Sequence, residues 1–391
     1  MASLAPKLNR QCLLAACRCI AEPSLTNRQL AGVARRLHSW RVGAPPLLVP
    51  ANSCSGSTSR CESRAWDLAR GTRTSGLTTY NKHIPISTTK TCTPSSTEPI
   101  INSIFEPVTG TWQYVVADAA TFNAAIIDPV LDYSPTSRCI TTTTADAVLA
   151  LIAQKQYTIT WILETHAHAD HLTAASYLKN RLTHTQSQPP TIGIGSRIHQ
   201  VQSIFGARYS LPPSDYHPLM FDHLFSDDEV FPISSSLFAT ALHLPGHTPD
   251  HMGYQFGTNI FCGDSLFHAD VGTARCDFPG GSASQLYSSA RRLLSFPDHV
   301  KIWTGHDYPP GTRGPEACMT VGMHRMENKH VRDGVDEMEF VKLRRERDRG
   351  LKAPRLLHQS LQMNVRAGKL PGKTEYGDRL WHLPVKVEGE W

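Results

Sequence analysis

Four residues of the types that bind metals in proteins fall within six positions of this sequence: His166, His168, Asp170 and His171. They follow Trp161–Leu163, a short apolar run that is typical of a buried strand. An apolar pattern at helical spacing begins next, at Leu172, Ala175, Leu178 and Leu182. The cluster is therefore expected in a strand-to-helix turn, at the carboxyl end of the strand.

The spacing within this cluster suits a metal site. An extended backbone sends His166 and His168 to the same side, because successive strand residues alternate faces. Asp170 and His171 lie where the chain bends, so they can face the same space from the far side. Neutral imidazole together with carboxylate suits zinc or iron better than calcium. The alternative is a solvated histidine-rich loop, which the flanking strand and helix disfavour.

The run from Glu164 to Leu172 resembles a known signature. It contains the His-x-His-x-Asp-His motif of the metallo-β-lactamase superfamily, and its Thr-His-Ala-His-Ala-Asp-His version resembles the persulfide dioxygenase branch. The resemblance covers roughly residues 98–345. It implies the α/β fold class, as a four-layered αββα sandwich. It also implies three further metal ligands, each following a strand and a glycine or turn: His247, Asp264 and His306.

The resemblance implies two alternative metal centres. Hydrolases of the superfamily use seven such positions to hold two Zn²⁺ ions, with Asp264 shared between them: His166, His168, Asp170, His171, His247, Asp264 and His306. Persulfide dioxygenases instead bind one Fe²⁺ through the positions of His166, His247 and Asp264, which leaves an open face for dioxygen and sulfur. The other four residues would then orient the iron ligands. Asp170 is also the candidate catalytic residue.

Three functions are compatible with these residues. The first is an iron-dependent dioxygenase that oxidises glutathione persulfide, or a related low-molecular-weight persulfide, to sulfite. The second is a dinuclear zinc hydrolase acting on a thioester, lactone or lactam. The third is a binding module without metal, which the complete ligand set disfavours. The signature and the loop Arg275–Phe278 favour the first, with a thiol or persulfide and dioxygen as its small-molecule partners.

Several residues near the predicted ligands have two readings. Arg275 could bind a glutathione carboxylate, or it could form a salt bridge with Asp277. Cys276 is interpreted as a packed thiol rather than a persulfide carrier. Asp128, at the end of a strand, is expected to support the metal loop from behind, and His251 is expected to be structural. Three more histidines have no ligand spacing and are interpreted as loop residues or satisfied surface residues: His199, His217 and His223.

Composition divides the 391 residues into unlike parts. Residues 1–97 hold 13 Lys and Arg against 3 Asp and Glu, whereas the remainder holds 26 against 31. The mildly acidic remainder argues against a nucleic-acid groove there. No apolar run approaches the ~18 residues that span a membrane. Four cysteines lie beyond residue 97 without a disulfide-like spacing, which indicates a reducing compartment.

We therefore predict three segments. Residues 1–61 contain a single acid, Glu22, and eight basic residues among many Leu, Ala and Ser, which is typical of a mitochondrial transit peptide. The transit peptide is expected over residues 1–45 and predicts the matrix as location, with a disordered basic tail as the alternative. Residues 46–97 are interpreted as a Ser/Thr/Pro-rich, disordered linker. Residues 98–391 are expected to form the metal-binding domain, with a C-terminal helical extension and possible homodimerisation. Helices are predicted at 144–156, 285–294 and 336–349.

Overall fold

Two six-stranded β-sheets form the centre of the fold in the computed structural model, which describes residues 98–390. The predicted transit peptide at 1–45 and the predicted linker at 46–97 lie outside the described residues. The strands in chain order are β1 (Ile100–Glu106), β2 (Thr111–Ala117), β3 (Asn123–Ile127), β4 (Val130–Ser134), β5 (Cys139–Thr141), β6 (Thr158–Leu163), β7 (Leu172–Thr173), β8 (Thr191–Gly195), β9 (His223–Phe225), β10 (Val230–Pro232), β11 (Phe238–His243), β12 (Met252–Phe256), β13 (Asn259–Phe261), β14 (Lys301–Trp303) and β15 (Cys318–Thr320).

Seven α-helices accompany these strands in the described part of the chain. They are α1 (Thr143–Lys155), α2 (Ala175–Thr183), α3 (Ile198–Arg208), α4 (Ala283–Leu294), α5 (Val321–Glu327), α6 (Glu337–Asp348) and α7 (Leu357–Asn364). The predicted helices at 144–156, 285–294 and 336–349 agree with α1, α4 and α6 to within two residues at each end. Asp336 accepts the backbone N–H of Glu339 at 2.8 Å and so caps α6 where the sequence indicated a helix start.

The first sheet has the order β1-β2-β3-β6-β8-β9, and its strands are parallel from β3 onward. Ile127 of β3 pairs with Leu163 of β6. The two parallel strands therefore end level, and the chains that leave them emerge side by side at one edge of the sheet.

The second sheet has the order β10-β11-β12-β13-β14-β15. Its one parallel pair joins β13 to β14, with Phe261 opposite Trp303. Consequently the segments that follow β13 and β14 also emerge side by side, which brings residues 263–264 close to residues 305–306.

Apolar residues fill three layers of core, and these layers define the sandwich. One cluster lies between the two sheets, with Tyr114, Leu163 and Tyr254 among its buried members. A second lies between the first sheet and the helices α1, α2, α3 and α7. The third lies between the second sheet and the helices α4, α5 and α6. The predicted αββα sandwich is confirmed.

The segment after the histidine cluster differs from its prediction. The apolar pattern suggested a helix from Leu172, but Leu172–Thr173 forms β7 and pairs with Val130–Leu131 of β4. The helix α2 begins only at Ala175. The backbone of Leu172 and Thr173 is extended and pairs with β4. These residues therefore cannot form the first turn of the helix.

Alternating charges in residues 336–349 are typical of a helix face exposed to solvent, but α6 buries some of its charged residues. Phe340, Arg344 and Asp348 form a buried face of this helix. Arg344 and Asp348 pair with each other at 2.8 Å, so their charges are buried together. Within residues 98–390, no helix combines the length and apolar character needed to cross a membrane.

Candidate metal centre

The histidine and aspartate side chains meet at one rim of the sandwich, where loops leave the carboxyl ends of β6, β11, β13 and β14. The potential ligand atoms of His166, His247 and Asp264 lie within 4.8 Å of one another. A second group within the same distance contains His168, Asp170 and His171. The rim thus collects residues from positions almost 100 apart in the chain.

His306 lies between carboxylates of the two groups. Its Nε2 is 3.1 Å from Asp170 Oδ2 and 3.6 Å from Asp264 Oδ1. The other oxygen of Asp264, Oδ2, lies 3.6 Å from His247 Nε2. Asp264 therefore turns one oxygen towards His247 and the other towards His306, which is the position of a ligand shared between two sites.

Neighbouring residues fix the position of Asp264. Its backbone N–H donates to His251 Nε2 at 3.0 Å, so His251 supports the aspartate. A Cβ built on Gly305 would lie 2.6 Å from Asp264 Oδ1. Only glycine at this position leaves room for the carboxylate beside the end of β14.

Hydrogen bonds to backbone carbonyls fix the tautomers of two histidines. His247 donates its Nδ1–H to the carbonyl of Arg275 at 2.7 Å, and His171 donates its Nδ1–H to the carbonyl of Leu172 at 3.3 Å. In both rings the proton is on Nδ1, which leaves the Nε2 lone pair free.

Asp128 fixes the other two histidines of the cluster. Thr165 donates its hydroxyl to Asp128 Oδ2 at 2.8 Å, so it can accept the Nδ1–H of His166 at 3.0 Å. His168 instead donates its Nε2–H to Asp128 Oδ1 at 3.1 Å, which frees its Nδ1. Asp128 lies behind the metal loop and holds it, in the manner the sequence suggested.

The free atoms are buried, and a metal ion would satisfy them. Within residues 98–390, five potential ligand atoms of the rim have no hydrogen-bond partner: His166 Nε2, His168 Nδ1, Asp170 Oδ2, His171 Nε2 and Asp264 Oδ1. Buried polar atoms are normally paired, so this concentration at one place is unusual. Nitrogen and carboxylate donors together match the preferences of zinc and of non-haem iron. The residues present therefore fit a metal centre.

Electrostatics keep two of the ligand histidines, His166 and His171, neutral. Burial, followed by the charge of His168, lowers the pKa of His166 well below its usual range. The same two causes lower the pKa of His171 to about 3. For His168 burial acts in the same direction, but Asp128 and Glu164 outweigh it and raise the pKa. Neutral rings with a free lone pair are the form that binds metals.

The two carboxylates of the centre differ. Burial favours the neutral form of Asp170, yet His306, His171 and His168 outweigh it and lower the pKa of Asp170 to about 2. The pKa of Asp264 is raised, because burial outweighs the attraction of His306 and His247. Asp170 is therefore ionised at neutral pH, and of the two carboxylates that line the cavity it is the one that ionises more readily.

Several supporting residues were not found from the sequence. Asp250 accepts the backbone N–H of Ala167 at 2.9 Å, in the middle of the His166–His168 segment. Tyr254 donates its hydroxyl to the carbonyl of Glu164 at 2.8 Å. Asn364, in α7, donates to two carbonyls of the same loop. Asp250 follows the predicted ligand His247 by three residues, whereas nothing in the sequence connects Asn364 to the metal loop.

A cavity of about 290 Å³ opens onto the centre. Its wall combines the metal-site residues Asp170, His247 and Asp264 with apolar and aromatic side chains of Phe267, Val271, Tyr308, Leu351 and Pro354. Tyr308 stacks on the ring of His306 with an interplanar angle of 8°. Arg275 and Arg347 contribute positive charge to the lining. The cavity suits a small molecule with an apolar reacting end and an anionic group.

Arg275 is engaged with protein groups in this structure. Its Nε and Nη2 donate to the two carboxylate oxygens of Asp277, and its Nη1 donates to the carbonyl of Lys352 at 2.8 Å. The sequence left two partners open for Arg275, a glutathione carboxylate or Asp277, and in the structure Arg275 forms the salt bridge with Asp277. The guanidinium also lines the cavity, so its role towards substrate stays a prediction.

Cys276 lies in a separate groove with Asp277 and Ser282. Burial raises the pKa of its thiol to about 12, so the thiol is protonated and weakly nucleophilic. This agrees with a packed thiol. Of the three histidines without ligand spacing, His217 lies in a loop, where it caps a short turn, whereas His199 lies in α3 and His223 in β9. Their contacts do not involve the seven ligands: His199 contacts the carbonyl of Ser196, and His223 pairs with Glu229 at 2.6 Å.

Comparison with known proteins identifies relatives of this arrangement. A "beta-lactamase hydrolase-like protein" of Xylella fastidiosa is 43% identical over 289 residues, which are 74% of this chain and 65% of that protein's length. The "glyoxylase B2" of Dictyostelium discoideum is 43% identical over 279 residues, covering 70% of this chain and 93% of that protein. The human mitochondrial persulfide dioxygenase ETHE1 is 26% identical over 272 residues, covering 69% of this chain and 89% of that protein.

A solved structure and a family model agree with these relatives. The crystal structure of ETHE1 from Myxococcus xanthus matches with a TM-score of 0.54 at 27% identity, covering 69% of this chain and all of that one. The family model described as the metallo-beta-lactamase superfamily matches residues 108–306, the segment that contains all seven residues of the rim. The chain therefore belongs to the metallo-beta-lactamase superfamily.

Proposed function

We propose that this protein is an iron-dependent persulfide dioxygenase that oxidises glutathione persulfide or a related low-molecular-weight persulfide. The observation that carries the proposal is the group of His166, His247 and Asp264, whose ligand atoms lie within 4.8 Å of one another beside the cavity. Two histidines and one carboxylate are the ligand set of non-haem iron oxygenases. The similarity to the human persulfide dioxygenase ETHE1, and to the structure of ETHE1 from Myxococcus xanthus, supports the same activity class.

The proposed reaction balances without a further reductant. A persulfide, dioxygen and one water give a thiol and sulfurous acid, which ionises to sulfite. The sulfur–sulfur bond breaks, the outer sulfur loses four electrons, and dioxygen gains them. Iron held by His166, His247 and Asp264 would supply the dioxygen chemistry.

The chain's own residues would position the reactants. Asp170 is ionised and lines the cavity, so its carboxylate can accept a hydrogen bond from the water that the reaction consumes. Phe267, Val271 and Tyr308 form an apolar wall that surrounds the sulfur atoms. Arg347 is exposed at the cavity lining and can attract the anionic part of the substrate.

A dinuclear zinc hydrolase is the second candidate, and one observation favours it. Asp264 directs one oxygen to His247 and the other to His306, which lies beside Asp170 of the second group, as a carboxylate shared by two metals would. The residues His168, Asp170, His171 and His306 are also complete for a second ion. Two of the relatives carry names of hydrolases or of a glyoxylase, which agrees with this candidate.

Metal content and oxygen consumption separate the two candidates. Protein purified without oxygen is analysed for iron and zinc per chain, and oxygen uptake is then measured with glutathione persulfide. The dioxygenase should hold one iron and consume one dioxygen per sulfite formed. A protein with two zinc ions that consumes no oxygen but cleaves a thioester would exclude the dioxygenase.

We also propose that the protein acts in the mitochondrial matrix. The proposal rests on the arginine-rich, acid-poor composition of residues 1–45. Imaging of a C-terminal fluorescent fusion, with and without residues 1–45, tests it. Loss of mitochondrial signal on deletion is expected, whereas unchanged distribution would contradict the assignment.

A further inference from the structure

The backbone of the metal loop is held by one side chain from the far end of the domain. Asn364, the last residue of α7, donates both Nδ2 hydrogens, one to the carbonyl of His168 and one to that of His171, each at 2.8 Å. Its Oδ1 accepts the backbone N–H of Thr173 at 2.9 Å. The side chain is buried, with 3% of its surface exposed.

These three contacts require an amide at this position. Both groups opposite Nδ2 are carbonyl oxygens, and the group opposite Oδ1 is an N–H. The orientation of the Asn364 amide is therefore determined by its partners. An aspartate of the same shape would place a carboxylate oxygen against two carbonyl oxygens, and both carbonyls would lose their donor.

The two carbonyls that Asn364 holds enclose the turn at Ala169–Asp170. His168, Asp170 and His171 are also the residues of the second ligand group. One amide thus fixes the backbone at both ends of the segment that projects these three side chains. Because the loop is an irregular segment, its conformation depends on such side-chain contacts.

The chain approaches the loop closely just after Asn364. Gly368 has a φ of +77°, and a Cβ at this residue would lie 3.0 Å from the carbonyl oxygen of Thr173. The turn that ends α7 therefore packs directly against β7. The C-terminal helix is docked on the metal loop itself and does more than cover the apolar face of the first sheet.

We infer that Asn364 is a positioning residue for the metal centre, through which α7 sets the affinity for metal. The inference rests on the metal site that the proposed function requires, but it does not depend on which reaction occurs there. The inference is tested by measuring metal affinity. It can therefore be tested with zinc alone, even if the protein is not a dioxygenase.

The same helix offers a matched control, Gln362. Its Nε2 donates to the carbonyls of His358 and His382 at 2.7 and 3.0 Å, and its Oε1 accepts the N–H of His382 at 3.0 Å. It is 1% exposed. Gln362 thus makes the same set of three bonds as Asn364, but it joins α7 to the C-terminal segment instead of the metal loop.

The first experiment compares Asn364→Asp with Gln362→Glu. Apoprotein is titrated with Zn²⁺ against a chelator of known affinity, and Tm is measured on the same samples. Both variants should lose Tm, whereas only Asn364→Asp should lose about 10–100-fold in Zn²⁺ affinity, as supporting groups of metal ligands do. Its Co²⁺-loaded form should also show altered d–d absorption bands. Equal Zn²⁺ affinities in wild type and Asn364→Asp, or equal losses in both variants, would overturn the inference.

A second experiment needs no variant, so it decides the question even if Asn364→Asp does not fold. Binding and local order are linked reciprocally. Hydrogen–deuterium exchange is compared between Zn²⁺-loaded and chelator-stripped wild type. Metal should slow exchange in 361–368 several-fold, beside the expected slowing in 164–173, while α4 changes less. Slowing confined to 164–173 would show that α7 is not coupled to the metal centre.

Discussion

His247 donates its Nδ1–H to the backbone carbonyl of Arg275, 2.7 Å away. The side chain of Arg275 is meanwhile held by Asp277 and by the carbonyl of Lys352. Arg275 therefore acts on the metal centre through its backbone, which orients the histidine, while its guanidinium fixes the loop that carries this carbonyl. A substitution that removes the guanidinium can therefore shift His247 at the metal centre, although the guanidinium does not contact this histidine.

We expect Arg275→Ala to lower kcat about 10-fold or more and to change KM less, because the loop that orients His247 loses its support. The measurement is steady-state oxygen uptake over a range of persulfide concentrations. Asp277→Asn is the control, since it removes the same ion pair and leaves the guanidinium in place. If Arg275 binds the substrate instead, Arg275→Ala should mainly raise KM, and Asp277→Asn should have little effect.

We expect His247→Ala and His306→Ala to differ in metal content if the centre holds one iron. His247→Ala removes one of three ligands, so iron and activity should be lost. His306→Ala should keep its iron and lose about 10–100-fold in activity or affinity. Elemental analysis of both variants measures this, with the exposed His199→Ala as a control that keeps metal and activity. Loss of one zinc of two in each variant would instead indicate the hydrolase.

We expect Gly305→Ala to weaken metal binding, because its Cβ would lie 2.6 Å from Asp264 Oδ1 and displace this carboxylate. Overpacking of this kind costs roughly 1–3 kcal/mol in stability. Chelator competition should show reduced affinity beside the loss in Tm. Gly311→Ala tests the same substitution a few residues later, where a Cβ meets nothing within 4 Å. Equal metal affinities in the two variants would show that Asp264 can move without consequence.

We expect buried His324 to make the apoprotein less stable as the pH falls. Burial, followed by the charge of His268, lowers the pKa of His324 to about 4. The unfolded chain protonates this residue near pH 6.5, so below that pH it binds more protons than the folded protein. Between pH 6.5 and about pH 4, this residue therefore lowers the free energy of unfolding by about 1.4 kcal/mol for each unit by which the pH decreases.

His324→Gln removes this titration and isolates its contribution. The variant should be less stable than wild type at pH 7, and the difference should shrink by about 2 kcal/mol between pH 6.5 and pH 5. Urea unfolding of both apoproteins across this range measures the difference. A difference independent of pH would show that His324 does not titrate with unfolding.

The sandwich and the seven rim residues were predicted from the resemblance to a known family, and short local patterns carry that resemblance. A strand, a glycine or turn, and a ligand stand next to one another at His166, His247, Asp264 and His306. Whether their metal is iron or zinc could not be predicted, since both use the same donor atoms.

The supporting residues could not be predicted for a different reason. Asn364 and its partner Thr173 are separated by 191 positions, and the sequence around either residue gives no indication that the two are in contact. Arg344 stands in a run of alternating charges that is typical of an exposed helix, yet it is 1% exposed and donates to the carbonyls of Thr273 and Ala274. Periodicity reports which face of a helix is apolar, but it carries no information about a polar side chain that is buried with its partners.

The ligands come from both sheets: His166 follows β6 of the first sheet, whereas His247, Asp264 and His306 follow β11, β13 and β14 of the second. A metal ion at the rim would therefore act as a cross-link between the two halves of the sandwich, bound only while they are docked. Its binding free energy would add to the cohesion of the halves and grow with the logarithm of free metal concentration. A cell that starves this protein of metal would lower its resistance to proteolysis as well as its activity.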